Sequence, residues 1–76
     1  MTPALQEWSG TIQFLDLEGG VWVLTTATGQ HYQLFRAPRE LLQEGLGVTV
    51  TGQIREDVMT VAQVGPVLEV TGFRTP

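Results

Sequence analysis

The side chains of this chain that could do chemistry are mainly carboxylates, and they include two short pairs. Asp16 and Glu18 are separated by one residue, and Glu56 and Asp57 are adjacent. Paired carboxylates can share a proton in acid–base catalysis, and carboxylate oxygens that converge from a rigid loop can bind calcium. However, the chain has no EF-hand spacing, and its 76 residues offer no deep cleft to shift carboxyl pKa values. We therefore predict no metal site, no cofactor and no acid–base centre.

Groups for nucleophilic catalysis are scarce. Ser9 is the only serine and has no G-x-S-x-G motif around it, His31 is the only histidine, and there is no cysteine. A His/Cys zinc cage is therefore excluded, and neither common phosphate-binding glycine motif occurs. His31 is expected to be an exposed turn residue. The sequence predicts a protein that is not an enzyme.

Charge and composition restrict the binding partners and the cellular location that we expect for this chain. Four arginines and no lysine stand against eight acidic residues, for a net charge of −4. This balance is the reverse of the basic patch that is typical of nucleic-acid binding. The hydrophobic content of 42% is too high for disorder, and no apolar run is long enough to cross a membrane. With no secretory signal at the N-terminus, we expect one soluble cytoplasmic domain.

The elements that must position these groups are mostly strands. Alternation of apolar and polar residues, interrupted by glycine and proline, predicts strands at 8–15, 21–26, 31–36 and 46–55, and a fifth within 58–73 that Gly65-Pro66 bends or splits. Pro38, followed by helix formers and closed by Gly45, predicts a two-turn helix near 38–44 that plugs one end of the sheet with Leu41 and Leu42. The residues predicted to lie inside are Ile12, Leu24, Leu34, Val48, Val50 and Val61.

The resulting order is β-β-β-α-β-β, and it resembles the OB-fold, a five-stranded Greek-key barrel with a helix between its third and fourth strands. The matching features are Gly10-Thr11-Ile12, the hairpin from Leu24 to Gly29 into Tyr32-Gln33-Leu34, and the run from Leu46 to Gly52. Small bacterial OB domains often show this rhythm. The resemblance implies an all-β, OB-like barrel over residues 8–73, with loose termini at 1–7 and 74–76. The main alternative, an SH3-like barrel, would normally lack the helix.

For function, the resemblance implies a binding face on the second and third strands, flanked by the loops between strands one and two and between strands four and five. Those loops carry Asp16 and Glu18, and Glu56 and Asp57. The first hypothesis is therefore a non-enzymatic binding module for a protein partner or a cationic ligand. The second is a single-stranded nucleic-acid-binding protein, and the third is a structural subunit that self-associates. The candidate ligand-face residues are Trp22, Tyr32, Gln33, Phe35, Arg36 and Arg74.

The same aromatic residues also have structural interpretations. Trp22 shares its strand parity with Leu24, and Tyr32 shares its parity with Leu34, so either side chain could fill the interior. Phe35 has the opposite parity, which makes it either an exposed residue or a packing contact of the predicted helix. The four loop acids have a structural interpretation as solvated hairpin tips.

Overall fold

The computed structural model describes residues 5–60 and 63–76. The described residues contain five β-strands. They are β1 Gln6–Leu15, β2 Val21–Thr26, β3 His31–Phe35, β4 Gly47–Ile54 and β5 Val67–Arg74. The all-β class predicted from the alternation is confirmed. β1 begins two residues before the predicted start at Trp8, and β5 begins only after Pro66. The segment 58–60 is not a strand, and Val61 lies outside the described residues.

The five strands form one sheet that closes into a ring in the order β1-β2-β3-β5-β4. The first half of β1 pairs with β4, and its second half pairs with β2, so this long strand joins the two sides. All neighbouring pairs are antiparallel except β3 and β5, which run parallel with Leu34 opposite Leu68. Since this parallel pair joins strands far apart in the sequence, its register decides which side chains of β3 and β5 meet.

The interior of the ring is filled by one face of every strand, as the alternation requires. Four of the predicted interior residues, Ile12, Leu24, Val48 and Val50, are buried, whereas Leu34 is half-buried and packs against this cluster. Leu41, from the connection between β3 and β4, is fully buried with them. The complete buried cluster consists of Ile12, Leu24, Leu41, Val48, Val50, Leu68 and Val70.

The predicted helix near 38–44 is wrong, because only a single 3-10 turn forms, at Arg39–Leu41. Leu42 leaves helical geometry with a ψ of 71°. The chain then turns toward β1, where the Gly45 amide donates to the Ile12 carbonyl at 2.8 Å and the Ile12 amide donates to the Leu46 carbonyl at 2.9 Å. Pairing with β1 thus replaces a second helical turn, while Leu41 still reaches the interior. In the described part of the chain, no helix is long and apolar enough to span a membrane.

Gly52 allows β4 and β5 to approach closely at a bulge. The register of the two strands shifts between Thr51 and Gly52, and Gly52 is buried. A Cβ at this position would lie 3.0 Å from the Glu69 carbonyl carbon and closer still to its oxygen. Glycine is therefore required here because of close backbone contact.

Candidate functional site

Two of the three aromatic residues proposed for the ligand face are part of the interior packing. Trp22 and Tyr32 are half-buried and pack against the buried cluster. The centroids of the Trp22 and Phe14 rings are 5.0 Å apart, and those of the Tyr32 and Trp8 rings are 5.9 Å apart. The Tyr32 hydroxyl donates to Gln30 Oε1 at 2.9 Å. Both residues therefore pack partly against the interior and remain partly exposed.

Phe35 lies on the outer face of the sheet, where two guanidinium groups cover it. The Arg36 guanidinium is 5.2 Å from the ring centroid, and the Arg55 guanidinium is 5.9 Å from it. Both distances are within the range of cation–π contacts. The predicted helix that could have packed on this ring does not form. A base that stacked on a ring face covered by either guanidinium would have to displace that arginine.

Arg55 is held by two carboxylates at the end of β4. Its Nε and Nη2 donate to the two oxygens of Asp57 at 2.8 and 2.7 Å, and its Nη1 donates to Glu69 Oε1 at 2.9 Å. Hydrogen bonding from Arg55 lowers the pKa of Asp57 to about 2, and the same contacts raise the pKa of Arg55. The Arg55 charge is therefore already satisfied within the protein.

Glu69 lies at the centre of a polar group that also contains Arg55, Gln53 and Arg36, and it was not among the predicted site residues. Its side chain is only 14% exposed and accepts hydrogen bonds from Arg55 and from Gln53 Nε2, the latter at 3.1 Å. Arg36 Nη1 lies 3.6 Å from its other oxygen. Hydrogen bonds from Arg55 and Gln53 lower its pKa. The alternation of Val67 to Val70 does indicate an outward Glu69, but its partners follow from the β3–β5 and β4–β5 registers.

Gln33, another predicted ligand-face residue, lies on the outer face between Val23 and Val67 in the strand register. Both valines are buried although they face away from the interior cluster. Gln33 Oε1 is buried as well, and it accepts no hydrogen bond from residues 5–60 or 63–76. The outer face of β2 and β3 is therefore covered around Gln33 and does not form an open polar surface.

Arg74 is separated from the other predicted ligand-face residues. It lies five positions beyond Glu69 on β5, and its guanidinium pairs with both carboxylate oxygens of Glu7 in β1, at 2.6 and 3.3 Å. Hydrogen bonding and charge attraction from Arg74 lower the pKa of Glu7. The structure thus brings together Gln33, Phe35 and Arg36 on β3 and its end, and it leaves Trp22, Tyr32 and Arg74 elsewhere.

The acidic residues predicted on the two loops differ in their partners. Asp16 and Glu18 lie in the β1–β2 hairpin and Glu56 lies after β4, and none of these three has an ion-pair partner in the described part of the chain. Asp57 is paired with Arg55. Among the described residues, the charged side chains without an ion pair are Asp16, Glu18, Glu40, Glu44 and Glu56 on the acidic side and Arg39 on the basic side. The unpaired charge is therefore almost entirely negative.

The few groups that could carry nucleophilic chemistry are not brought together. The Ser9 hydroxyl is hydrogen-bonded to the Thr49 hydroxyl at 2.9 Å. His31 Nδ1 lies 2.9 Å from the hydroxyl of Thr25, which itself donates to Gln13. Within the residues that the structure describes, no three His, Cys, Asp or Glu side chains are grouped closely enough to hold a metal ion.

A groove of about 580 Å³ runs along the loop between β4 and β5. Its lining includes Val58, Met59, Pro66 and Val67. Met59 is the most exposed of the large hydrophobic residues that the structure describes.

Comparisons of the chain with protein-family models, with curated proteins and with solved structures find no match.

Proposed function

We propose that this chain is a small OB-fold module that binds a basic protein partner and catalyses no reaction. The fold assignment is supported by the strand order β1-β2-β3-β5-β4, closed on itself, with a parallel pair between β3 and β5. A closed five-stranded ring with this crossing connection matches the Greek-key barrel that the sequence resembles. The 3-10 turn at Arg39–Leu41 occupies the position of the OB helix and packs Leu41 into the interior.

The observation that carries the proposal is the distribution of unpaired charge. Three of the four arginines, Arg36, Arg55 and Arg74, are paired with carboxylates of the same chain. The acidic residues without such a partner outnumber the one unpaired arginine in the described residues by five to one. A surface of this kind attracts cationic partners and repels phosphate chains.

Single-stranded nucleic acid is less well supported as the ligand. Such binding combines aromatic platforms for the bases with a positive groove for the backbone. Here Trp22 and Tyr32 are half-buried against the interior cluster, and the guanidinium groups of Arg36 and Arg55 lie close to the Phe35 ring. A phosphate contact at Arg36, Arg55 or Arg74 would compete with an existing ion pair, which leaves Arg39 as the one unpaired arginine of the described residues.

A direct test compares two labelled probes at physiological salt, a lysine-rich peptide and single-stranded oligo-dT. We expect the peptide to bind more tightly and oligo-dT to bind no better than the roughly 10⁻⁴ to 10⁻⁶ M of non-specific complexes. Sub-micromolar oligo-dT binding that weakens steeply with salt, and is lost in Phe35→Ala, would overturn the proposal in favour of nucleic acid. Sedimentation velocity over a concentration series tests the self-association hypothesis, and we expect a monomer throughout.

A further inference from the structure

The end of the β1–β2 hairpin carries two exposed apolar side chains, of which Phe14 is held by its neighbours. Phe14 is 42% exposed and Leu17 is 47% exposed. The Phe14 ring packs at 5.0 Å against Trp22, and a Cβ added to Gly20 would come within 2.5 Å of the same ring. The ring is therefore fixed by contacts on two sides while part of it remains open to solvent. A partner that covered it would lose little conformational entropy from this side chain.

The connection between β3 and β4 brings one further carboxylate, that of Glu44, to this end of the ring. Glu44 Oε2 accepts a hydrogen bond from the Phe14 amide at 3.2 Å, which places this carboxylate beside the aromatic residue. The backbone bonds between Ile12 and Gly45 and Leu46 hold the connection against β1. Asp16 and Glu18 lie in the hairpin itself. We name Phe14 and Leu17, together with the three nearby carboxylates of Asp16, Glu18 and Glu44 as their rim, the hairpin-end patch: Asp16 and Glu18 flank Leu17 in the chain, and Glu44 contacts the Phe14 amide.

We propose that the hairpin-end patch docks a basic protein segment that inserts an apolar side chain against Phe14 and Leu17. This inference rests on the proposed function and assigns its binding surface and the chemistry of its partner. An apolar centre with a polar rim is typical of protein interaction sites. The rim here has one sign, because none of its three carboxylates has an ion pair within the described residues. Lysine or arginine flanking an apolar anchor complements both the centre and the rim.

The chain itself offers matched controls for each component of the patch. Met59 is an exposed apolar residue in another loop, and Glu56 is an exposed, unpaired carboxylate outside the patch. Leu17→Ser and Met59→Ser each remove one exposed apolar side chain. Glu18→Gln and Glu56→Gln change the net charge by the same amount. A difference within either pair therefore reports position and not composition.

The experiment measures binding of a short labelled peptide that carries leucine between lysines, with a serine-for-leucine peptide of equal charge as the reference probe. We expect Leu17→Ser to weaken binding of the leucine peptide roughly ten-fold, the effect of losing one well-buried apolar contact, and Met59→Ser to leave it within about two-fold. Glu18→Gln should weaken binding about three-fold and reduce its salt dependence, more than Glu56→Gln does. Amide chemical shifts should change mainly at 12–20 and 40–46. Unchanged thermal unfolding of the exposed-loop variants confirms that the fold is intact.

The outcomes separate this inference from the function on which it rests. Equal effects within both variant pairs, or shifts centred on the β4–β5 loop, would overturn the hairpin-end patch and leave the basic-partner function standing. Equal affinity for the leucine and serine peptides would overturn the apolar anchor. Absence of peptide binding in the parent protein would overturn both.

Discussion

Replacing Gly52 by alanine adds a single carbon atom at the point where the backbones of β4 and β5 come into close contact. The substitution therefore tests that contact. The added Cβ would lie 3.0 Å from the carbonyl carbon of Glu69 and well inside contact with its oxygen. Both obstructing atoms belong to the backbone, so no side chain can rotate away. The two strands must separate at the bulge, which disturbs the β4–β5 hydrogen bonds next to the interior.

The cost can be estimated from the usual effect of overpacking. Inserting a methyl group into a filled site costs typically 1–3 kcal/mol, and a backbone obstruction places Gly52→Ala near the upper end, at about 3 kcal/mol. A domain of this size has a stability of only about 3–5 kcal/mol, so most of it would be lost. At roughly 4–8 °C per kcal/mol, the Tm should fall by roughly 12–24 °C.

Thermal unfolding followed by circular dichroism measures this effect, and Gly47→Ala is the matched control. Gly47 lies in the same strand, but nothing is within 4 Å of a Cβ built there. Its substitution should change the free energy of unfolding by no more than about 0.5 kcal/mol. If the two alanine variants melt at the same temperature, the close approach of β4 and β5 at Gly52 is wrong.

Three further outcomes are expected. Val50→Asp should unfold the domain, because Val50 is fully buried and an unpaired buried charge costs several kcal/mol; a folded, soluble variant would contradict the interior position of Val50. Since Arg55 lowers the pKa of Asp57 from 3.8 to about 2, this contact stabilises the protein above pH 4 and is lost as the pH falls toward 2. Asp57→Asn should therefore show a flatter loss of stability between pH 4 and pH 2 in urea titrations, and equal slopes would refute the pairing. Arg74→Gln should lower the Tm by less than roughly 8 °C, since the Arg74–Glu7 pair is exposed; a much larger fall would show that it closes the sheet.

The candidate site was only partly predictable, because its contacts join distant positions in the chain. Parity alone indicated that Phe35 faces away from Leu34, and the structure agrees. Nothing local, however, pairs Arg55 with Glu69, or Arg36 with the same carboxylate. Those contacts exist because β5 runs parallel to β3 and antiparallel to β4, with Glu69 opposite both Phe35 and Gln53.

The sequence by itself determined the all-β class and most of the strand positions, because period-2 alternation and glycine turns act over only a few residues. Tertiary structure decided the segment between β3 and β4. Its local signals favour a helix, but the two backbone hydrogen bonds that join Ile12 to Gly45 and Leu46, and the burial of Leu41, are available only after the ring has closed. Packing and long-range pairing outweighed a weak local preference, because two helical turns alone are only marginally stable in water.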